Sequence, residues 1–244
     1  MKKEKNKGGF WSNLFGITLA VLAALGIRSL FIEPYNIPSS SMVPTLLVGD
    51  YLFITKYDYG YSKHSFPLSL PLVPKGRIFA SIPKRGDVVV FKVPTDNKTD
   101  YIKRVIGLPG DTVQMKQGRL YINNQLVERT FVNTETYATE GGVHQYTRYI
   151  ETLPNGKQHF IYERSDDMQV DDTPPVFIPQ GYYFMMGDNR DNSSDSRFFG
   201  VVPFENLEGK ARFLFYSNNG KGNAYEFWKW DKSLRLERFF TGIK

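Results

Sequence analysis

The chain contains no cysteine, which excludes disulfide frameworks and thiolate metal sites and leaves the compartment undetermined by redox argument. Histidine is scarce. His64, His144 and His159 are the only three, and none stands beside a nucleophile-like motif, so a Ser-His-Asp triad is disfavoured. Charge of one sign is not concentrated either. The net charge is +6, and Lys2, Lys3, Lys5 and Lys7 against Glu4 supply half of it; the thin remainder makes no nucleic-acid footprint. There is no internal repeat or low-complexity stretch, and no convincing helical pattern between residues 50 and 225. Long apolar runs are absent too, save one near the start.

What is there is enough for a core. With 244 residues, 41% of them hydrophobic, the chain can build one large or two small domains. Its 19 Phe and 15 Tyr are spread along the whole length, which argues against disorder. The single apolar run covers residues 14–27. Extended over residues 10–32 it would measure roughly 34 Å as a helix, enough to cross a bilayer. Trp11 would then sit at one interface and Arg28 could snorkel to the other. The lysines before the run, with none after it until Lys56, predict a cytoplasmic N-terminus and export of everything beyond about residue 32. A cleavable signal peptide is the competing account, since a basic start, a short apolar stretch and Ala24-Leu25-Gly26 fit it as well. Either account exports the rest.

Beyond the run, short stretches of Val, Ile, Phe and Tyr alternate with Gly/Pro/Asn turns, an all-β signature. Strands are predicted at 51–56, 87–93, 101–106, 112–116, 120–122, 149–152, 159–162, 182–186 and 211–216. Hairpin turns are predicted at 116–119 and 154–156. Residues 65–79 are Pro-rich and too apolar for a solvated loop, so they lie against the core or dip into a lipid interface. Residues 129–177 are polar and read as an inserted β subdomain with no chemistry of its own. The expected organisation is a short basic cytoplasmic segment (1–9), a transmembrane anchor (10–32), a catalytic β domain (33–128 and 178–244) and the insertion (129–177).

Three segments could carry chemistry. In Ile37-Pro38-Ser39-Ser40-Ser41-Met42-Val43-Pro44, two prolines restrict the backbone on either side of three serines. A rigid serine suits a nucleophile whose own N–H also aims at an oxyanion; a plain linker leaving a membrane has the same look. In Tyr101-Ile102-Lys103-Arg104-Val105-Ile106, alternation puts Lys103 with Val105 on one face and Ile102, Arg104 and Ile106 on the other. Lys103 is either a solvated charge or a desolvated amine whose pKa falls towards neutrality, able then to accept a serine proton. Residues 187–200 are dense in Asp, Asn and Ser. They form a hydrogen-bonded turn, a calcium loop from Asp188, Asp191 and Asp195 (against the EF-hand spacing), or a support in which Asp195 pairs Arg197.

Together these segments resemble the bacterial type I signal peptidases, membrane-bound Ser-Lys endopeptidases that remove signal peptides. The resemblance covers the anchor, residues 33–50, 84–110 and 187–203, and the strand near Ala211, about half the chain and in the family's order. It implies a mostly antiparallel β-sheet, barrel-like catalytic domain with an inserted β subdomain. It also implies Ser41 as nucleophile, Lys103 as general base, and Ser39 with the Ser41 N–H as oxyanion donors. Ser193 would hydrogen-bond the lysine, and Asp195, Arg197 and Arg104 would stiffen the site. Pro34, Tyr35, Ile37, Pro38, Met42, Leu46, Tyr101 and Ile102 match the family's pocket-lining stretches, whose shallow pockets admit small residues and give an Ala-X-Ala preference.

Ser40 departs from the family, many members of which carry glycine there, so the nucleophile is placed by register against Met42. The resemblance also favours a retained anchor over a cleaved signal. The expectation is a single-pass, N-in enzyme of the bacterial plasma membrane with no metal and no cofactor. Its partners would be preprotein signal peptides and the lipid bilayer, with translocation machinery nearby. A dedicated or self-cleaving Ser-Lys maturation protease, or a catalytically silent β-domain that binds exported chains, are the alternatives.

Overall fold

The computed structural model of the protein describes residues 8–66, 69, 70, 73, 76–139, 141–219 and 233–244. Lys2, Lys3, Lys5 and Lys7, and Pro67, Leu68, Pro71, Leu72, Pro74 and Lys75 of the Pro-rich excursion, lie outside the described residues. The first element is helix α1 (Gly8–Leu30). Trp11, Phe15, Ile17 and Leu22 all stay exposed on it, so the chain's own core does not cover its apolar surface. Its stretch Trp11–Leu30 is long and apolar enough to cross a bilayer. Only Phe31 separates it from the first strand; the Phe31 carbonyl accepts from Lys56 N, and the Tyr61 hydroxyl donates to the Leu30 carbonyl.

Among the described residues fourteen strands follow: β1 (Ile32–Asn36), β2 (Asp50–Thr55), β3 (Val88–Lys92), β4 (Asp100–Gly107), β5 (Thr112–Lys116), β6 (Arg119–Ile122) and β7 (Gln125–Leu126), then β8 (Glu128–Thr139), β9 (Gly142–Thr152), β10 (Gln158–Glu163), β11 (Val176–Phe177), β12 (Tyr182–Met186), β13 (Val202–Pro203) and β14 (Leu207–Ser217). A one-turn helix, α2 (Ser196–Phe199), sits between β12 and β13. The strands make a seven-stranded sheet in the order β1-β2-β14-β3-β4-β12-β13, a four-stranded sheet β11-β5-β6-β7 and a three-stranded sheet β10-β9-β8. The pairings between these strands are antiparallel, so the mostly β fold class expected from the sequence is the one observed.

Residue choice explains the layering. In β3, Val88 and Val90 pack with Ile37, Met42, Leu52 and Ile54, while Val89 and Phe91 pack on the other face with Val105, Tyr183 and Met185. A strand buried on both faces reads as a continuous apolar run, as this one does. Register shifts in β14 near Ala211/Phe213 and Leu214/Tyr216 bend the sheet around the first of these cores. The β5–β6 hairpin turns through Gln117 (φ 48°) and Gly118 (φ 67°), a left-handed pair that matches strand twist.

The strand expected at 149–152 is the end of a much longer one, and β8 was not expected. Both belong to a long hairpin whose polar side chains, such as Thr134, Glu135 and Gln145, alternate without the apolar face that marks a strand in sequence.

Candidate active site

The turn after β1 is pinned by its apolar residues. Met42, Val43 and Leu46 are fully buried, and Val43 N donates to the Ser40 carbonyl and Leu46 N to that of Met42. This leaves Ser41 at the floor of a cleft of about 420 Å³ that also exposes Ser39 and runs between residues 35–41 and 99–103. From β4 the Lys103 side chain reaches in, and its Nζ lies 2.7 Å from Ser41 Oγ and 3.0 Å from the Ile102 carbonyl. Ser39 Oγ is 3.4 Å from Ser41 Oγ. Neither His64 nor His144 nor His159 is a hydrogen-bond partner of Ser41.

Lys103 is 4% exposed, and the Tyr101 ring lies 5.3 Å from its Nζ. Burial pulls its pKa down from 10.5 to about 8, despite the opposing pull of the Asp195 and Asp188 carboxylates. A substantial fraction of the amine is therefore neutral near physiological pH and can take a proton from a neighbouring hydroxyl.

The residues 187–197 build the wall behind this pair. Gly187 is required by close approach: a Cβ there would lie 2.2 Å from Ser193 Oγ and 2.5 Å from the Ser41 carbonyl oxygen. Asn189 donates from its backbone N to the Ser41 carbonyl and from Nδ2 to the Ser40 carbonyl, and Asn192 Nδ2 donates to Ser40 Oγ at 2.6 Å. Asp195 accepts from Gly187 N, from Arg197 N as the N-cap of α2, and from the Arg197 guanidinium at 2.9 Å. Burial works against the Asp195 charge, and Arg197 overcomes it and holds the carboxyl below its ordinary value.

The predicted residues are not all together. Tyr35, Ile37, Pro38, Tyr101 and Ile102 line the cleft with Ser39, Ser41 and Lys103. Met42 and Leu46 do not, because the turn aims their side chains into the core, and exposed Pro34 lies outside the lining as well. Ser193 is buried beside Gly187, but the Lys103 hydrogen bonds go to Ser41 and Ile102 rather than to it. Arg104, fully buried, turns away from the cleft and grips Asp188 with two hydrogen bonds, Nε–Oδ1 at 2.8 Å and Nη2–Oδ2 at 2.6 Å.

A calcium loop is not what the three aspartates form. Asp188 serves Arg104, Asp195 serves Arg197, and Asp191 accepts from the backbone N of Arg164 and Ser165. No group of three His, Asp or Glu able to hold a metal occurs among the described residues. Asn36, Val90, Thr99, Asp100, Asn192 and Ser194 also line the cleft and were not singled out in the sequence. Asn192 and Ser194 lie in the polar 187–200 run, which was the available signal.

Comparison with known proteins gives the following likenesses. Residues 11–216 match the family model described as signal peptidase, peptidase S26. A signal peptidase I of Rickettsia akari (strain Hartford) is 43% identical over 255 residues, covering 97% of this chain and 93% of the relative. That of Rickettsia conorii (strain Malish 7) is 44% identical over 241 residues, covering 91% and 89%. Among solved structures, a signal peptidase I from Enterococcus faecalis V583 is 28% identical over 53% of this chain and 97% of its own, with a TM-score of 0.32.

Proposed function

This chain belongs to the signal peptidase, peptidase S26, family of serine endopeptidases that remove signal peptides, and on that premise we propose that Ser41 is its nucleophile and Lys103 its general base. The observation that carries the assignment is the 2.7 Å contact between a buried lysine amine and a serine hydroxyl at the floor of the cleft. Neutral Lys103 takes the Ser41 Oγ proton as that oxygen attacks the scissile carbonyl. The Ser41 N–H and the Ser39 hydroxyl stabilise the oxyanion of the tetrahedral intermediate. The intermediate collapses as the Lys103 ammonium returns the proton to the leaving amine. Water, losing its proton to Lys103, then attacks the acyl-serine ester, and as the second tetrahedral intermediate collapses the Lys103 ammonium returns a proton to the departing Ser41 Oγ.

Selection for small residues, of the Ala-X-Ala type, follows from a cleft narrowed by Tyr35, Ile37, Tyr101 and Ile102, where larger side chains overlap the walls. Asp195, Arg197 and Arg104 hold the surroundings of the pair, and Ser193 fills the space beside Gly187. In this proposal α1 is a retained, single-pass anchor with residues 1–9 in the cytoplasm. The catalytic domain (33–128 and 178–244) and the insertion (129–177) then face the far side of the bacterial plasma membrane, where signal peptides arrive.

The test is cleavage of a purified Ala-X-Ala preprotein in detergent by the native protein, Ser41→Ala, Lys103→Ala and Ser40→Ala. Product from the native protein and Ser40→Ala alone supports the pair and its register. Cleavage surviving in Ser41→Ala refutes the assignment of the nucleophile. No cleavage by any folded form points to a binding domain or to a dedicated maturation protease with its own substrate.

A further inference from the structure

The three-stranded sheet β10-β9-β8 was expected to carry no chemistry, yet it is wired to the nucleophile turn through buried charge. Glu151, on β9, receives two hydrogen bonds from the Arg190 guanidinium, at 2.8 and 2.6 Å. His159, on β10, sits 3.5 Å from Glu151 and 3.9 Å from Asp188. Asp188 in turn holds Arg104, the residue next to Lys103. Glu151, Arg190, Asp188 and Arg104 are each at most 2% exposed. Two cations thus balance two anions. Burial, with Arg104 beside it, lowers the His159 pKa to about 4, so the imidazole between them is neutral at physiological pH.

The backbone repeats the connection. Tyr162 N, on β10, donates to the Asp188 carbonyl, and Arg164 N and Ser165 N both donate to Asp191 Oδ2. The insertion therefore grips residues 188–191 at three points, through Asp188, Arg190 and Asp191. Residues 189–192 of the same turn donate, from Asn189 N, Asn189 Nδ2 and Asn192 Nδ2, to the Ser41 carbonyl, the Ser40 carbonyl and Ser40 Oγ. A displacement of this segment is transmitted to Ser41 by hydrogen bonds alone.

We propose that Glu151 and Arg190 are positioning residues for catalysis, through which the inserted sheet fixes the 188–192 turn and the turn fixes Ser41 against Lys103. The proposal rests on the assignment of Ser41 and Lys103 above. Neither Glu151 nor Arg190 lines the cleft, so neither touches a substrate held in it. The pair therefore affects how Ser41 is aligned and not how tightly the preprotein binds. Misplacing a reacting atom by about 1 Å from a distance costs up to about 100-fold in rate. Removing one partner also leaves a buried charge without its counterpart, which forces the turn to shift or take up water.

The experiment compares the full chain in detergent with Glu151→Gln, Glu151→Asp and Glu135→Gln, measuring kcat, KM and thermal unfolding, with Ser41→Ala as reference. Glu135 lies on β8 of the same sheet, where its carboxylate meets the side chains of Arg148, at 3.6 Å, and Tyr162 rather than any of residues 188–192, so its variant loses the same charge without losing a contact to the turn. Glu151→Gln should lose about 10- to 100-fold in kcat with KM within about twofold, Glu151→Asp should recover part of the loss, and Glu135→Gln should match the native protein.

An unchanged kcat in Glu151→Gln, a rise in KM alone, or an equal loss in Glu135→Gln overturns the proposal. Should Glu151→Gln fail to fold, Arg190→Lys takes its place; it keeps the charge but not the two-pronged grip, and the same outcomes apply. Cleavage by Ser41→Ala would instead sink the underlying nucleophile assignment, a result distinct from any of these.

Discussion

Lys103 and Arg104 are neighbours in β4 whose charges leave the strand on opposite faces. Opposite Val89, Lys103 points to the cleft and reaches Ser41; opposite Val88, Arg104 points to the rear and closes on Asp188. One strand thus presents a lysine stripped of water on one side and a fully paired guanidinium on the other. The pairing of Arg104 keeps a permanent cation from competing for the cleft, so the amine that bonds Ser41 is one whose proton can leave.

That arrangement sets the pH dependence of cleavage. As the proposed general base, Lys103 would act in its neutral form; burial lowers its pKa to about 8 in the substrate-free protein, so kcat/KM should climb about tenfold per pH unit below that value and level off above it. Lys103→Arg should be inactive throughout, because a guanidinium does not lose its proton in this range. A pH–rate series on a preprotein checks both; a rate independent of pH from 6 to 9 would contradict the role of Lys103.

The same burial weakens the fold. Between pH 8 and 10.5 the unfolded chain binds a proton that the folded site has released, so stability should rise with pH across that window and be lowest, for this group, below it. A fall of that size corresponds to about 3 kcal/mol. Lys103→Met should therefore be inactive and more stable than the native protein at pH 7, with the advantage shrinking above pH 8. Urea unfolding at pH 7 and at pH 10 measures the difference.

Gly187→Ala should impair cleavage strongly. The added methyl would meet Ser193 Oγ at 2.2 Å and the Ser41 carbonyl at 2.5 Å, and the second of these is backbone of the nucleophile turn itself. Relief requires the turn to move, so kcat should fall by at least about tenfold while the chain still folds. Single-turnover rates with saturating enzyme would show the loss in the acylation step.

Ser39→Ala should lose about 100- to 1,000-fold in kcat with little change in KM, the usual cost of removing one oxyanion donor. Ser39 is exposed, so its stability should hardly change. Comparison of kcat and thermal unfolding in the two proteins separates the effects; a loss of activity matched by a loss of folded protein would count against the oxyanion role.

The apolar strands were legible because each has a buried face. Residues 112–116 and 182–186 have the same limits in the sequence reading and in the structure, and 87–93 and 101–106 agree to within one residue at either end. The hairpin β8–β9 was not, since strands with little to bury carry no two-residue apolar rhythm. Ser41 and Lys103 were each weak signals, 62 positions apart, and only the succession of motifs around them joined the two. Met42 and Leu46 follow closely on the three serines but face inward, because a turn reverses the side-chain direction that a flat motif suggests. Glu151 looks like any strand glutamate beside Ile150, and its partner Arg190 lies 39 residues on; burial of such a pair is a property of tertiary packing alone.

The junction between α1 and β1 has one residue of slack, and even that residue is hydrogen-bonded to Lys56. Tyr35, on the cleft wall, follows Leu30 by five positions, at most about 17 Å of extended chain. With α1 anchored as proposed, the blade is fixed at a set height over the lipid and works as a depth gauge. A substrate is then cut where its own small-X-small motif comes level with that height, so the distance from a signal peptide's apolar stretch to its cleavage site becomes part of what is recognised. Lengthening that distance should silence a good motif, and inserting residues between α1 and β1 should move the gauge.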